Sequence, residues 1–170
     1  MRGYAVPMIT LLVRVTHGPE ALAATLSAFV PAVAAGLVGD AVILAGRQDD
    51  ALARVADAAG ATLLPVERDC WKEGARVARR DWLLCLDDGD VPQEGWIRVL
   101  ERFVTSAGPE QGFGRMRRRG SAMRALTGLL WGSRRVRSGD LVHRRVLLNE
   151  VRSRAPMRLS AVVERDPVFG

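Results

Sequence analysis

The chain has 170 residues, 48% of them apolar and 26% charged, with a formal net charge of +6. A chain of that length and balance is not mainly disordered and buries a core without help from disulfides or metal. Its two cysteines, Cys70 and Cys85, form neither a disulfide framework nor a zinc spacing, so a reducing, cytosolic setting is expected.

The charge is unevenly placed. Residues 1–110 carry 11 basic and 15 acidic side chains, whereas residues 111–170 carry 14 basic and 4 acidic ones. Lys72 is the sole lysine, so the basicity is almost entirely arginine. Nothing at the start of the chain resembles a signal peptide. The 19 uncharged residues from Ala21 to Gly39 include Thr25, Ser27 and Pro31, which suits a buried helix and turn better than a membrane span.

In chain order, apolar runs predict strands over residues 8–15, 41–45, 62–66 and 82–86. The second and fourth are continuous rather than alternating, as in strands covered on both faces. Pro65 cannot donate to a ladder and predicts an edge position for the third. Helical spacing fills the gaps at 19–35, 49–59, 70–79 and 95–105. The alternation predicts an α/β sandwich: a mainly parallel sheet with helices on both faces and right-handed crossovers. Ser106 to Gly114 reads as a Gly-rich loop, 141–151 as a strand turning into a short helix, and 159–163 as a final strand. One domain is expected over 1–170, with a ligand-binding half (1–105) and a basic C-terminal segment (106–170).

Ligands of such sheets bind beyond the carboxyl ends of the strands. Those ends read Thr16-His17-Gly18, Gly46-Arg47, Glu67-Arg68 and Asp87-Asp88-Gly89-Asp90. The last places three carboxylates within four residues, where like charges repel unless something compensates them. A hard cation, Mg²⁺ or Mn²⁺, held by one or two carboxylates and substrate phosphates would do so. An Asp-rich turn that caps the next helix is the plainer alternative. His17 is placed to contact a phosphate, or is an ordinary loop histidine. Lys72 is placed to contact a diphosphate, or lies on a solvated helix face. His143 is a weaker candidate for a late metal ligand.

The run Leu86-Asp87-Asp88-Gly89-Asp90, Val-Pro, Gly95-Trp96, then an amphipathic helix, resembles the donor segment of family 2 glycosyltransferases. Lys72-Glu73-Gly74-Ala75-Arg76, Arg79-Arg80-Asp81-Trp82 and Glu20-Ala21-Leu22 add to the resemblance, which covers about residues 6–105. It implies a GT-A, Rossmann-like fold and a nucleotide-sugar donor. It also implies an Asp-x-Asp type metal site at Asp88 and Asp90 for Mg²⁺ or Mn²⁺, with Asp87 assisting through the ribose or the same ion. His17, Lys72 and Asp87 become the nucleotide-binding candidates. Transfer of a hexosyl group with inversion is implied, using a downstream carboxylate as base. The late acids are Asp140, Glu150, Glu164 and Asp166, of which the Glu164–Asp166 pair follows the last strand. Ala45-Gly46-Arg47-Gln48 stands where the family has base-binding acids, with Asp49 and Asp50 following. That departure supports an alternative, a non-catalytic GT-A-like binding or regulatory module.

Arg115 to Arg137 carries eight arginines and no acid around Leu126, Leu129, Leu130 and Trp131. An anionic membrane surface or a lipid-linked acceptor fits such a segment, as does plain solvation. Nucleic acid fits poorly, with aromatic residues at 5% and no RNA-binding signature. The expected location is cytoplasmic, or peripheral at the membrane.

Overall fold

The structure is a computed structural model that describes residues 9–119 and 134–169. Eight strands form one sheet in the order β3-β2-β1-β4-β7-β6-β8-β5. The first half is β1 (Ile9–Arg14), β2 (Val38–Ala45), β3 (Thr62–Pro65) and β4 (Trp82–Asp87), all parallel. The second half is β5 (Asp90–Pro92), β6 (Phe113–Arg119), β7 (Asp140–His143) and β8 (Met157–Arg165). There β4 with β7, β6 with β7, and β5 with β8 are antiparallel, while β6 with β8 is parallel.

The helices are α1 (Pro19–Ala34), α2 (Asp50–Ala58), α3 (Cys70–Val77), α4 (Trp96–Ser106) and the single turn α5 (Arg144–Leu147). Each has a local cause. Gly18 takes φ 121°, and Pro19 then opens α1 with its φ already helical. The Asp49 carboxylate accepts from the Ala51 N–H at 2.7 Å and caps α2. In α3, a Cβ on Gly74 would lie 3.1 Å from both Leu12 and Leu44, so the helix seats closer to the sheet than a side chain allows.

Helices cover both faces. Leu22 and Phe29 of α1, Leu52 of α2, and Trp96, Leu100 and Phe103 of α4 pack on Ile9, Leu11, Ile43 and Leu84. On the other face, Trp71 and Ala75 of α3 and Leu147 of α5 pack on Leu12, Leu44, Leu83 and Cys85. The α/β sandwich expected from the alternation is therefore present. The Ala21–Gly39 stretch is α1, its turn and the first two residues of β2, and among the described residues no helix is long and apolar enough to cross a membrane. Pro65 does lie in an edge strand. Cys85 is a core residue, and burial pushes its thiol well up.

Three elements differ from the sequence reading. Asp90 is not in a loop but opens β5, a three-residue strand containing Pro92 that exists by pairing with β8. β6 occupies the start of the expected basic surface, because its first four residues, Arg115 included, are buried. β2 begins at Val38, three residues before the apolar run, because Ile9 pairs with Val38 across a register shift.

Candidate functional site

The parallel half ends in an open cleft of about 770 Å³ at the carboxyl ends of β1 and β2. Thr16, His17 and Gly18 form one wall, Ala45 to Gln48 the other, and Asp49, Asp50 and Leu52 close it from α2. The Asp87–Asp90 turn lies beside the first wall and builds it. Asp88 is fully buried. Its Oδ1 accepts from the Thr16 N–H at 2.9 Å and the Thr16 hydroxyl at 2.8 Å. Its Oδ2 accepts from the N–H groups of His17 and Gly18 at 2.7 and 2.9 Å. The carboxylate thus holds the loop between β1 and α1 at the cleft edge. Burial works against its charge, but the His17, Thr16 and Gly18 bonds outweigh that and keep its pKa below the ordinary carboxylate value.

Asp90 is equally buried. Arg118 of β6 grips it with two bonds of 3.0 and 2.6 Å, and the Ser138 hydroxyl donates to it at 2.6 Å. Its Oδ2 also accepts from the Asp87 N–H at 2.9 Å. Asp87 Oδ1 accepts from Arg14 Nε at 2.8 Å, and Arg14 lies over the Trp71 ring. Burial disfavours the Arg14 charge, but Asp87 more than compensates and its pKa is raised. Gly89, at φ 85°, makes the turn itself, and its N–H reaches the buried Thr25 hydroxyl of α1 at 2.8 Å.

The structure gathers His17, Asp87, Asp88 and Asp90 in one place, with three guanidinium groups that composition alone did not assign there. Arg14, Arg118 and Arg165 come from β1, β6 and β8. Arg165 Nη2 lies 3.7 Å from Asp90 and 3.9 Å from Asp87, and its Nη1 lies 2.9 Å from His17 Nε2. The sequence signal for them was faint: each is the last or nearly the last polar residue of a strand, and Arg14 and Arg118 are 73 and 28 residues from their acidic partners along the chain.

The remaining candidates go elsewhere. Lys72 sits in the first turn of α3 and makes no ion pair with the cluster among the described residues. His143 pairs with Trp82 at the opposite end of β4, where its Nδ1 accepts from the Arg145 N–H and caps α5. Asp140 is bound by Arg115, and Glu150 pairs with Arg145 at the surface. Asp166 stays near the turn: its N–H donates to the Gly89 carbonyl at 2.8 Å, while its carboxylate caps the Val168 N–H. Glu164 precedes Arg165 in β8 and so points to the opposite face of the sheet. Residues 120–133, with Leu126, Leu129, Leu130 and Trp131, lie outside the described residues.

This donor set does not fit a cation. Both oxygens of Asp88 face N–H groups, and those of Asp90 face Arg118 and Ser138. Among the described residues no three His, Cys, Asp or Glu side chains are arranged to hold a metal. The expected metal ligands Asp88 and Asp90 are, in this fold, a loop anchor and an ion-pair partner.

No protein-family model matches the chain, and no curated protein does. Solved structures do. Glucosyl-3-phosphoglycerate synthase from Mycobacterium tuberculosis, in complex with Mn²⁺, UDP-glucose and phosphoglyceric acid, superposes with a TM-score of 0.61 at 14% identity over 91% of this chain and 71% of that one. The same enzyme with Mg²⁺ and UDP gives 0.59 at 17% identity over 82% and 57%. Mannosyl-3-phosphoglycerate synthase from Rubrobacter xylanophilus gives 0.58 at 11% identity over 89% and 66%. The fold is that of the GT-A glycosyltransferases. This GT-A chain spans 57 to 71% of the length of those proteins.

Proposed function

We propose that this GT-A chain binds a nucleotide-sugar in the cleft at the ends of β1 and β2 and acts in glycosyl transfer. The observation that carries the reading is the cleft: it lies at the carboxyl ends of the parallel strands, with one wall fixed by the buried Asp88 carboxylate. Its volume, about 770 Å³, suits a nucleoside diphosphate sugar. The structural neighbours hold UDP and UDP-glucose, which makes uridine nucleotides the first probes. The base would lie along Gly46, with Asp49 and Asp50 near its polar edge. The diphosphate would point toward the Asp87–Asp90 turn. Asp87 would act through Arg14, whose position it fixes. Lys72 would reach the site from the start of α3. Two acceptors are the probes: the phosphoglyceric acid that a structural neighbour holds, and a lipid-linked acceptor at an anionic surface. For the second, Arg117 and Arg119 are exposed, whereas Arg115 and Arg118 are taken up inside the fold.

The second reading, a GT-A-like binding module without transfer, is favoured by one observation. Among the described residues the late carboxylates Asp140, Glu150 and Asp166 are each engaged in a pair or cap, and Glu164 precedes Arg165 in β8 and points to the opposite face of the sheet. Calorimetry of the full chain with a panel of nucleoside diphosphates and UDP-glucose tests both readings. Saturable binding to one nucleotide, lost in Gly46→Leu, which adds a side chain at the cleft wall, is expected. A Gly46→Leu protein that binds as well as the original would place the ligand elsewhere. Binding with no turnover across acceptors would select the module reading.

A further inference from the structure

We propose that this chain receives the diphosphate of its nucleotide on Arg165, beside His17, with no divalent cation at Asp87–Asp90. The proposal rests on the cleft being a nucleotide site and says how that site is charged.

The first ground is occupancy of the carboxylates. The acidic turn presents three negative charges, and Arg14, Arg118 and Arg165 supply three positive ones within 4 Å of it. The turn is therefore neutral before any cation arrives. A divalent ion at Asp90 would have to displace Arg118 from a bidentate bond, one at Asp88 would strip the N–H groups that shape the cleft wall, and one at Asp87 would sit against the Arg14 and Arg165 guanidinium groups. Either of the first two steps breaks a buried ionic contact and leaves donors without acceptors, which is strongly unfavourable.

The second ground is the inequality of the three guanidinium groups. Arg14 and Arg118 are bound at 2.6 to 3.0 Å. Arg165 stands back at 3.7 and 3.9 Å from the same carboxylates, while one Nη lies against the His17 imidazole. It neutralises the turn at a distance that leaves N–H donors for another anion. A planar guanidinium matches two phosphate oxygens at once. His17 lines the cleft, and Arg165, 2.9 Å from its ring, stands beside that wall on the side of the Asp87–Asp90 turn.

The third ground is rigidity. Arg165 pairs with Asp90 across β8 and β5, and the next residue's N–H is bonded to the Gly89 carbonyl at 2.8 Å. The group is preorganised rather than carried on a loop, which lowers the cost of binding.

The test is calorimetry of the full chain with UDP, GDP, ADP, CDP and TDP, in EDTA and again in Mn²⁺, beside titration of Mn²⁺ alone followed by electron paramagnetic resonance. The proposal expects a nucleotide whose affinity changes less than about twofold between EDTA and Mn²⁺. It expects Arg165→Ala to weaken that affinity about tenfold or more in EDTA, and Arg165→Lys to lose less, since the charge remains. Thermal midpoints show that both variants fold. Binding seen only with Mn²⁺ would overturn the proposal and leave the nucleotide site standing. A Mn²⁺ site on the free protein that Asp87→Asn removes would overturn it as well. Undiminished affinity in a folded Arg165→Ala protein would remove Arg165 from the site. Absence of nucleotide binding under both conditions would instead sink the donor reading, and this proposal with it.

Discussion

The two halves of the sheet bury their interiors by different means. In β1, β2 and β4 the buried positions are Ile, Leu, Val, Ala, Cys and Trp82, with Thr10, which donates to Asp40, as the polar exception, and stabilisation comes from apolar area removed from water. In β6, Phe113-Gly114-Arg115-Met116 are all buried, and Arg115 is accommodated because Asp140 stands opposite it in β7. Arg115 Nε and Nη2 bond the two Asp140 oxygens at 2.7 and 2.9 Å. Arg118 does the same for Asp90 from the other end of the strand. Apolar burial is tolerant of local change. A buried ion pair depends on both partners, because each charge is costly alone.

The largest expected effect breaks that dependence. Arg115→Met should cost about 3–5 kcal/mol, since it strands the Asp140 carboxylate in the core. Adding Asp140→Leu should recover most of the loss, because two apolar residues replace a pair that gained little beyond its own desolvation. Urea denaturation midpoints of the single and double variants check this. A double variant as unstable as the single one would show that Asp140 matters chiefly through its 2.8 Å bond from the Arg137 N–H.

The same contrast explains what was legible. β1, β2, β3 and β4 announce themselves as apolar runs, and Pro65 marks the edge, because the signal for such strands is local. The helices between them follow from spacing and from Gly18-Pro19, Asp49 and Gly60. β6 is concealed in Phe-Gly-Arg-Met-Arg-Arg-Arg, which reads as a basic segment until Asp140 is placed beside it, 25 residues away. β5 is shorter still, and only β8 makes it a strand. At the site, sequence drew attention to His17, Asp87, Asp88 and Asp90, which the fold gathers, and gave the carboxylates a metal to hold. Spacing shows that three Asp are close. It cannot show that the N–H groups of Thr16, His17 and Gly18 converge on one of them, or that guanidinium groups from three distant strands neutralise the cluster.

An intermediate effect is expected at the joint between the halves. Charge crowding alone would make Asp90→Asn stabilising. The Arg118 and Ser138 bonds reverse the sign: the amide keeps one acceptor, turns a donor toward donors and leaves Arg118 without its counter-charge. Arg118 is 24% exposed and is partly rescued by water, so the cost should be about 1–2 kcal/mol. A lowered thermal midpoint in EDTA checks it. A raised midpoint would restore the picture of an acidic cluster lacking compensation.

The smallest effect lies on the seam itself, where His143 of β7 pairs with Trp82 of β4 and meets its ring edge-on at 5.1 Å. Burial lowers the His143 pKa. Asp81 and Glu150 pull it up and Arg145 pushes it down, with burial the largest influence. The folded protein therefore binds a proton at this residue less readily than the unfolded chain, whose imidazole titrates near pH 6.5. Stability from the neutral ring is present above about pH 6.5 and is lost as pH falls through that value toward the lower folded one. The cap has the same requirement, because Nδ1 accepts from the Arg145 N–H and cannot do so once protonated. Asn at the same position can still accept from that N–H but does not titrate, so His143→Asn should lower stability at pH 7.5 through the lost Trp82 contact yet show a smaller further drop at pH 5.5. Denaturant midpoints at the two pH values, compared between the two proteins, isolate the residue, since His17 and every carboxylate are common to both. An equal drop in each would mean that the seam between the apolar half and the ion-paired half does not sense this proton.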